Sequence, residues 1–311
     1  MMPDRPSPSA AVLRFAPSPN GRLHLGHALS ALINEGMAER IGGRLLLRIE
    51  DIDPARCTPE LEVAMRDDLD WLGIRFTGTP WRQSERSTAH AGALDRLRQM
   101  GLAYPAFLSR GEVRRRIAGA RAWPRDPDGA PHYPTDERHL GVNEAQERIE
   151  RGAPHAWRLN VDAAVARAGK SAWLETDAVG LPMLTVTDDA RLWGDVVLAR
   201  VDAPAAYHLA VVVDDAAQGV THVVRGRDLL RATSLHVTLQ RLLGLATPLY
   251  HHHGLVMRGG RKLAKSRGDG ERDLAIHALR AAGASADGVR AMLRRGAAGN
   301  AQQDLRPIAF T

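Results

Sequence analysis

The 311-residue chain has one cysteine, Cys57, which excludes an internal disulfide and any multi-cysteine metal site. It has no apolar run near the roughly 18 residues a membrane helix needs, and no signal-peptide pattern. A cytoplasmic protein with no membrane partner is expected. Lysine is scarce as well: Lys170, Lys262 and Lys265 stand among 42 Lys+Arg. Arginine does the routine surface work, so two lysines three residues apart call for a specific reason. The net charge of +6 allows a polyanionic partner without requiring one. With 44% hydrophobic and 25% charged residues, the composition is that of a globular protein with one large or two modest domains.

What is present starts with V-L-R-F-A-P-S-P-N-G-R-L-H-L-G-H from Val12, followed by a helical A-L-S-A-L-I-N-E-G-M-A-E-R and a strand-like L-L-L-R-I-E ending at Glu50. This is a βαβ unit of a parallel sheet, its turn fixed by Pro17, Pro19 and Gly21. His24, Gly26 and His27 open the helix, whose first N–H groups have no internal partner and attract phosphate. Glu50 and Asp51 end the second strand beside Arg14 and Ser18. An arginine and a glutamate there can hold the carboxylate and ammonium of an amino acid, or form an ordinary strand-end ion pair. Thr58-Pro59-Glu60 starts a helix that Gly73 stops. Another follows Gln83, Ser84 and Arg86, reads to Met100 and ends at Gly101, after which Tyr104-Pro105 breaks the pattern.

Residues 106–199 are irregular, with Pro/Gly clusters and strand-like A-W-R-L-N-V and G-D-V-V-L-A-R, and read as a mixed insertion. Arg114, Arg115 and Arg116 suit phosphates or a solvated helix face. A-Y-H-L-A-V-V-V-D-D reads as a buried parallel strand with its aspartates at the ligand end, and Val220–Val224 as another, ending at Arg225-Gly226. A helix A-T-S-L-H-V-T-L-Q-R-L-L leads to L-Y-H-H-H-G-L-V, whose histidines read as a strand end. Lys262-Leu263-Ala264-Lys265-Ser266 sits in a glycine-rich loop, and the 45 residues after Ser266 read as short amphipathic helices.

The string R-F-A-P-S-P-N-G-x-L-H-L-G-H resembles the nucleotide-binding signature of class I aminoacyl-tRNA synthetases in its glutamyl and glutaminyl form, and K-L-A-K-S resembles their K-M-S-K-S, with Ala264 in place of serine. The resemblance covers nearly all of Val12 to Gly268. It implies an α/β fold: a Rossmann-type parallel sheet with an inserted mixed domain. The expected divisions are a flexible tail (1–10), a first half of the catalytic domain (11–105), an inserted acceptor-end-type domain (106–199), a second half (200–250), and a signature loop with a short C-terminal helical segment (251–311). No anticodon-binding domain is expected in the 45 residues after Ser266.

The resemblance further implies that His24, His27 and Lys265 are catalytic, and that His24, Gly26, His27, Lys262 and Lys265 hold ATP with Mg²⁺. Arg14, Ala16, Ser18, Glu50, Tyr207 and Arg225 are expected to hold the amino acid, although Tyr207 and Arg225 could instead be structural. Two arginines suit the two carboxylates of L-glutamate. Shortness and glutamate chemistry together resemble the tRNA-modifying paralogues that activate glutamate without tRNA and transfer it to queuosine in the anticodon of tRNA(Asp). A monomer is expected. Many members bind zinc in the insertion; here Ala106, Leu108 and Glu137 take the cysteine places and Tyr133 alone remains, so no zinc is expected. The competing readings are a shortened glutamyl-tRNA synthetase charging a tRNA 3′ end, a small-molecule nucleotidyltransferase, and a non-catalytic RNA-binding remnant.

Overall fold

The computed structural model describes residues 10–200, 203–258, 261–263, 274–298 and 303–304. The tail 1–9 lies outside them. The first half of the chain runs β1 (Val12–Phe15), α1 (Leu25–Arg40), β2 (Arg44–Ile49), α2 (Pro59–Trp71), β3 (Trp81–Arg82) and α3 (Ser87–Gln99). Then come β4 (Ala103–Ala106), α4 (Arg110–Ile117), α5 (Val142–Glu150), β5 (Ala156–Leu159), α6 (Val161–Ala168), β6 (Ser171–Thr176), β7 (Pro182–Asp188) and β8 (Val197–Arg200). The remainder is α7 (Tyr207–Ala217), β9 (His222–Gly226), α8 (Ala232–Leu243), β10 (Leu249–His253), β11 (Val256–Arg258), β12 (Arg261–Lys262), α9 (Ile276–Ala281), α10 (Ala286–Ala298) and β13 (Gln303–Asp304). No helix among the described residues is long and apolar enough to cross a membrane.

The central sheet has the order β3-β2-β1-β9-β10-β6-β7, parallel throughout except for β7 against β6. From β1 the chain first builds outward through β2 and β3, then returns to lay β9 on the other side of β1. That reversal opens a crevice beyond the C-terminal ends of β1 and β9, where open α/β sheets take their ligands. Alternation along the strands sorts their side chains between the two faces. Leu13, Phe15, Leu45, Leu47 and Ile49 pack with α1, whereas Val12 joins Val223 and Tyr250 in another cluster. By the same alternation Arg14 and Arg48 point away from the α1 side, and both are buried.

The run ending in Asp214-Asp215 is helix α7 and not a strand. Leu209, Ala210, Val211, Val212, Asp214 and Asp215 are all buried between neighbours that include α3 and α8, so no polar stripe discloses the helical period. A short, fully buried apolar run carries no periodic signal that separates the two states. Tyr104-Pro105 likewise does not end regular structure. It lies in β4, the edge of a second, antiparallel sheet of order β4-β5-β8, where a missing N–H is tolerated. Within 106–199, β5 and β8 belong to this second sheet, while the β6–β7 hairpin extends the central one.

The second sheet is tied to its surroundings through Asp195, whose side chain is fully buried. It accepts from Arg138 Nε at 2.6 Å and NH2 at 2.5 Å, Tyr104 Oη at 2.6 Å and the Val161 N–H at 3.0 Å. Removing it takes the shared acceptor from the half-buried Arg138 guanidinium, the Tyr104 hydroxyl and the buried Val161 N–H, and a buried donor left unsatisfied costs about 1–3 kcal/mol. Asp195→Ala is therefore expected to lower unfolding stability by that amount in urea. Asp162→Ala, which removes only Arg138's exposed partner, should stay within about 1 kcal/mol of the parent.

Candidate active site

The start of α1 is capped by imidazole. His24 Nδ1 accepts the Gly26 N–H at 3.0 Å, and His27 Nδ1 accepts the His24 N–H at 3.2 Å. With Nδ1 accepting, each neutral ring keeps its proton on Nε2 and offers a donor. The two rings lie 3.9 Å apart between centroids. Gly26 is required by this arrangement, because a Cβ there would stand 2.9 Å from His24 Cε1. The first turn of α1 carries no acidic residue, so nothing in it opposes an approaching anion.

This helix start forms one wall of a cavity of about 350 Å³ at the C-terminal ends of β1, β2, β9 and β10. Of the residues expected from sequence, the structure brings together Arg14, Ala16, His24, Gly26, His27, Glu50, Tyr207 and Arg225. Ser18 is not in the lining; its hydroxyl is 3.4 Å from Cys57 Sγ. Lys262 belongs to β12, and its neighbour Leu263 lines the cavity. Ala264, Lys265 and Ser266 lie outside the described residues.

Behind the cavity is a buried ion network that the sequence reading missed. Asp215 accepts from Arg14 Nε at 2.9 Å and from Arg48 NH1 at 2.6 Å, and Arg48 NH2 also reaches Glu50 at 3.2 Å. Burial alone would raise the Asp215 pKa, but the two guanidiniums outweigh it and hold the group below the usual carboxylate range. Burial raises Glu50, and Arg48 and Arg14 only partly counter it. Burial also raises the Tyr207 phenol. Asp214 faces the other way and accepts from Gln83, Arg86 and His90. The available signal was an arginine inside the apolar run L-L-L-R-I, a charge that burial obliges to find a partner.

Arg225 is 5% exposed and has partners of a different kind. Its Nε donates to His252 Nε2 at 3.2 Å, NH1 to His236 Nδ1 at 3.0 Å, and NH2 to Thr233 Oγ1 at 2.7 Å and the Leu229 carbonyl at 3.3 Å. His236 in turn meets His208 at 3.1 Å, and His252 meets Glu175 at 2.9 Å. The three consecutive histidines of β10 have separate partners: the Thr176 carbonyl for His251, Glu175 for His252, and the Gly254 carbonyl for His253. Among the described residues no three His, Cys, Asp or Glu side chains gather as a metal site.

The zinc positions of the insertion are occupied differently. Ala106 and Leu108 offer no ligating atom. Tyr133 Oη donates to Glu137 and accepts the Leu108 N–H at 3.0 Å, while Glu137 accepts the Phe107 N–H at 2.9 Å. These residues do not fit a zinc ion; a tyrosine–carboxylate clamp on the backbone, over a small core of Ala106, Val113 and Tyr133, holds the segment instead. In α4 only Val113 is buried, and Arg114, Arg115 and Arg116 are exposed, with Arg116 paired to Asp136.

Residues 10–305 match the family of class I tRNA synthetases (E and Q), catalytic domain. The chain is 46% identical over 287 residues to the glutamyl-Q tRNA(Asp) synthetase of Rhodobacter capsulatus, covering 91% of this chain and 99% of that protein. It is 42% identical over 265 residues to the protein of the same name from Geobacter sulfurreducens, covering 85% and 78% respectively. Among solved structures, a glutamate tRNA ligase from Elizabethkingia meningosepticum in complex with its amino acid superimposes with a TM-score of 0.68 at 28% identity. That match covers 84% of this chain, which spans about half (53%) of the solved chain.

Several of these histidines should make the protein acid-sensitive. Burial lowers His208 and His253 to about 4, and holds His236 well below its ordinary value of 6.5. The unfolded chain then binds more protons than the folded one between about pH 6.5 and 4. The stabilisation is complete above 6.5 and declines as pH falls, by about 1.4 kcal/mol per unit for each group. In His208→Gln, which retains an acceptor for His236, the fall in urea stability between pH 6.5 and 4.5 should be shallower than in the parent by about that slope. Identical pH profiles would contradict the assignment.

Proposed function

The chain belongs to the class I tRNA synthetases of the glutamate and glutamine type, and from that premise we propose that it activates L-glutamate as an adenylate in this cavity and passes the glutamyl group to queuosine in tRNA(Asp). It is a ligase by family. The observation that carries the substrate reading is one cavity containing both an imidazole-capped helix start and two arginines, one of them without a carboxylate partner among the described residues. The names of the Rhodobacter and Geobacter relatives support the acceptor.

In the first step a glutamate carboxylate oxygen attacks the α-phosphorus of ATP. The bond from that phosphorus to the bridging oxygen of the β-phosphate breaks, and pyrophosphate leaves. The nucleophile is already an anion, so catalysis is positioning and charge neutralisation without proton transfer. The N–H groups of the α1 start and the Nε2 donors of His24 and His27 are suited to the phosphates. Magnesium would enter as part of the nucleotide substrate, neutralising phosphate charge. Lys262 and Lys265 are assigned to the leaving pyrophosphate. Arg14 and Arg225 take the carboxylates, and Glu50 with Tyr207 takes the ammonium; an ammonium there would offset the burial that raises Glu50. In the second step a hydroxyl of the queuosine cyclopentenediol attacks the carbonyl of the mixed anhydride. AMP leaves and the hydroxyl proton is released.

The first test is glutamate-dependent ATP–pyrophosphate exchange without RNA, which should proceed; transfer of labelled glutamate to queuosine-containing tRNA(Asp), and not to unmodified tRNA(Asp), should follow. Exchange that appears only with tRNA(Glu) would favour 3′-end charging. Lys265→Ala should abolish exchange while glutamate binding persists in calorimetry. Arg225→Ala removes charged hydrogen bonds of about 1.5–3 kcal/mol and should raise the glutamate KM about 10- to 100-fold. An unchanged KM would put the amino acid elsewhere.

A further inference from the structure

The two arginines of the cavity are held by opposite means. Arg14 is neutralised by Asp215 at 2.9 Å. Arg225 has no carboxylate within ion-pair distance among the described residues; its four partners are two imidazoles, a hydroxyl and a carbonyl.

A guanidinium can only donate, so the facing ring nitrogens must present lone pairs. This fixes both tautomers. His236 accepts on Nδ1, carries its proton on Nε2 and donates to His208 Nδ1 at 3.1 Å. His252 accepts on Nε2, carries its proton on Nδ1 and donates to Glu175 at 2.9 Å. The Glu175 carboxylate also accepts the His252 N–H at 2.7 Å, which fixes the ring's place on β10. Both histidines are buried. Protonating either one would set a second donor and a second positive charge against Arg225. Burial keeps both below their ordinary pKa, His252 despite the pull of Glu175.

Of the five guanidinium N–H groups, these four bonds occupy four and leave one on NH1. The cradle therefore immobilises the group without cancelling its charge. A carboxylate in place of either imidazole would hold Arg225 equally well and would reproduce the neutralised state of Arg14. The site would then distinguish poorly between a carboxylate and an amide.

We propose that His236 and His252 are positioning residues that set the amino-acid selectivity of this site, holding Arg225 through neutral acceptors so that its undiminished charge meets a substrate carboxylate and refuses the isosteric amide. The inference rests on the glutamate reading of the cavity and assigns its selectivity to residues outside the lining.

The test is amino-acid-dependent pyrophosphate exchange with glutamate and with glutamine, with kcat and KM determined for each amino acid and for ATP. His236→Asp places a carboxylate on Arg225. It should raise the glutamate KM at least about tenfold and lower the glutamate-over-glutamine ratio of kcat/KM by about the same factor, from loss of a charge-assisted contact. The ATP KM should stay near that of the parent. His236→Asn, whose side-chain oxygen can replace Nδ1, should recover most of the ratio. A parental ratio in His236→Asp, or an equal loss in both variants, overturns the proposal.

Because a buried aspartate can prevent folding, the unmodified protein supplies a second measurement. Ring ¹⁵N shifts should show His236 protonated on Nε2 only and His252 on Nδ1 only from pH 6 to 8. A doubly protonated ring or the opposite tautomer in that range also overturns it. If the parent shows no glutamate-dependent exchange, the glutamate reading falls and the selectivity claim with it. If the parent exchanges and His236→Asp keeps its preference, the cradle alone is wrong.

Discussion

Asp215 accepts from Arg14 and Arg48 at once, at 2.9 and 2.6 Å, while itself 6% exposed. Arg14 belongs to β1, Arg48 to β2 and Asp215 to α7, so one carboxylate joins the first βαβ unit to a helix some 200 residues later, a separation of 201 positions from Arg14. Leaving any of the three unpaired would bury a bare charge, at a cost of several kcal/mol. The constraint is also directional. Arg14 spends its Nε on Asp215 and yet lines the cavity. Glu50, tied to Arg48, is fixed at the cavity edge in the same way. The Arg14 and Glu50 end of the cavity is thus built from groups whose orientation the core dictates, and α7 shapes the cavity as much as the signature turn does.

Much of this was legible in the sequence, and the failures have specific causes. The β1–α1–β2 unit, the helix starts at Thr58 and His24, and the strand ending at Arg225 each carry a local signal: alternation, a turn that opens a helix, or a polar residue closing an apolar run. The α7 run carried none, because burial on most sides erased the polar stripe on which a period depends. The hairpin of β6 and β7 was hidden for another reason. Its place in the central sheet is a long-range pairing with β10, which no local pattern encodes. Ser18 shows the limit of reading a site from a motif: its neighbours Ala16 and Pro17 line the cavity, and its own hydroxyl turns to Cys57. The partners of Arg225 lie 8, 11 and 27 positions away on α8 and β10, so their convergence is a property of the fold.

Histidine recurs at both ends of the cavity, and the recurrence has a common electrostatic reason. Where another described helix start has a side-chain cap, the cap is a hydroxyl, an amide or a carboxylate: Thr58, Ser109, Asn160 and, at a short 3₁₀ turn, Asp189. Of the other buried or half-buried arginines, Arg14, Arg48 and Arg138 pair with Asp215, Glu50 or Asp195, Arg14 doing so while it lines the cavity. At the cavity wall the cap of α1 is His24, and behind that wall the holders of Arg225 are His236 and His252. A carboxylate cap would occupy the helix N–H groups and oppose an incoming phosphate; a carboxylate against Arg225 would cancel the charge we propose meets the substrate. A neutral imidazole accepts one hydrogen bond with comparable geometry and brings no negative charge. A reaction between two anions, a carboxylate and a triphosphate, needs positive potential that the protein's own side chains have not already consumed. Neutral acceptors are how a fold can fix the supporting groups in place and still leave that potential to the reactants.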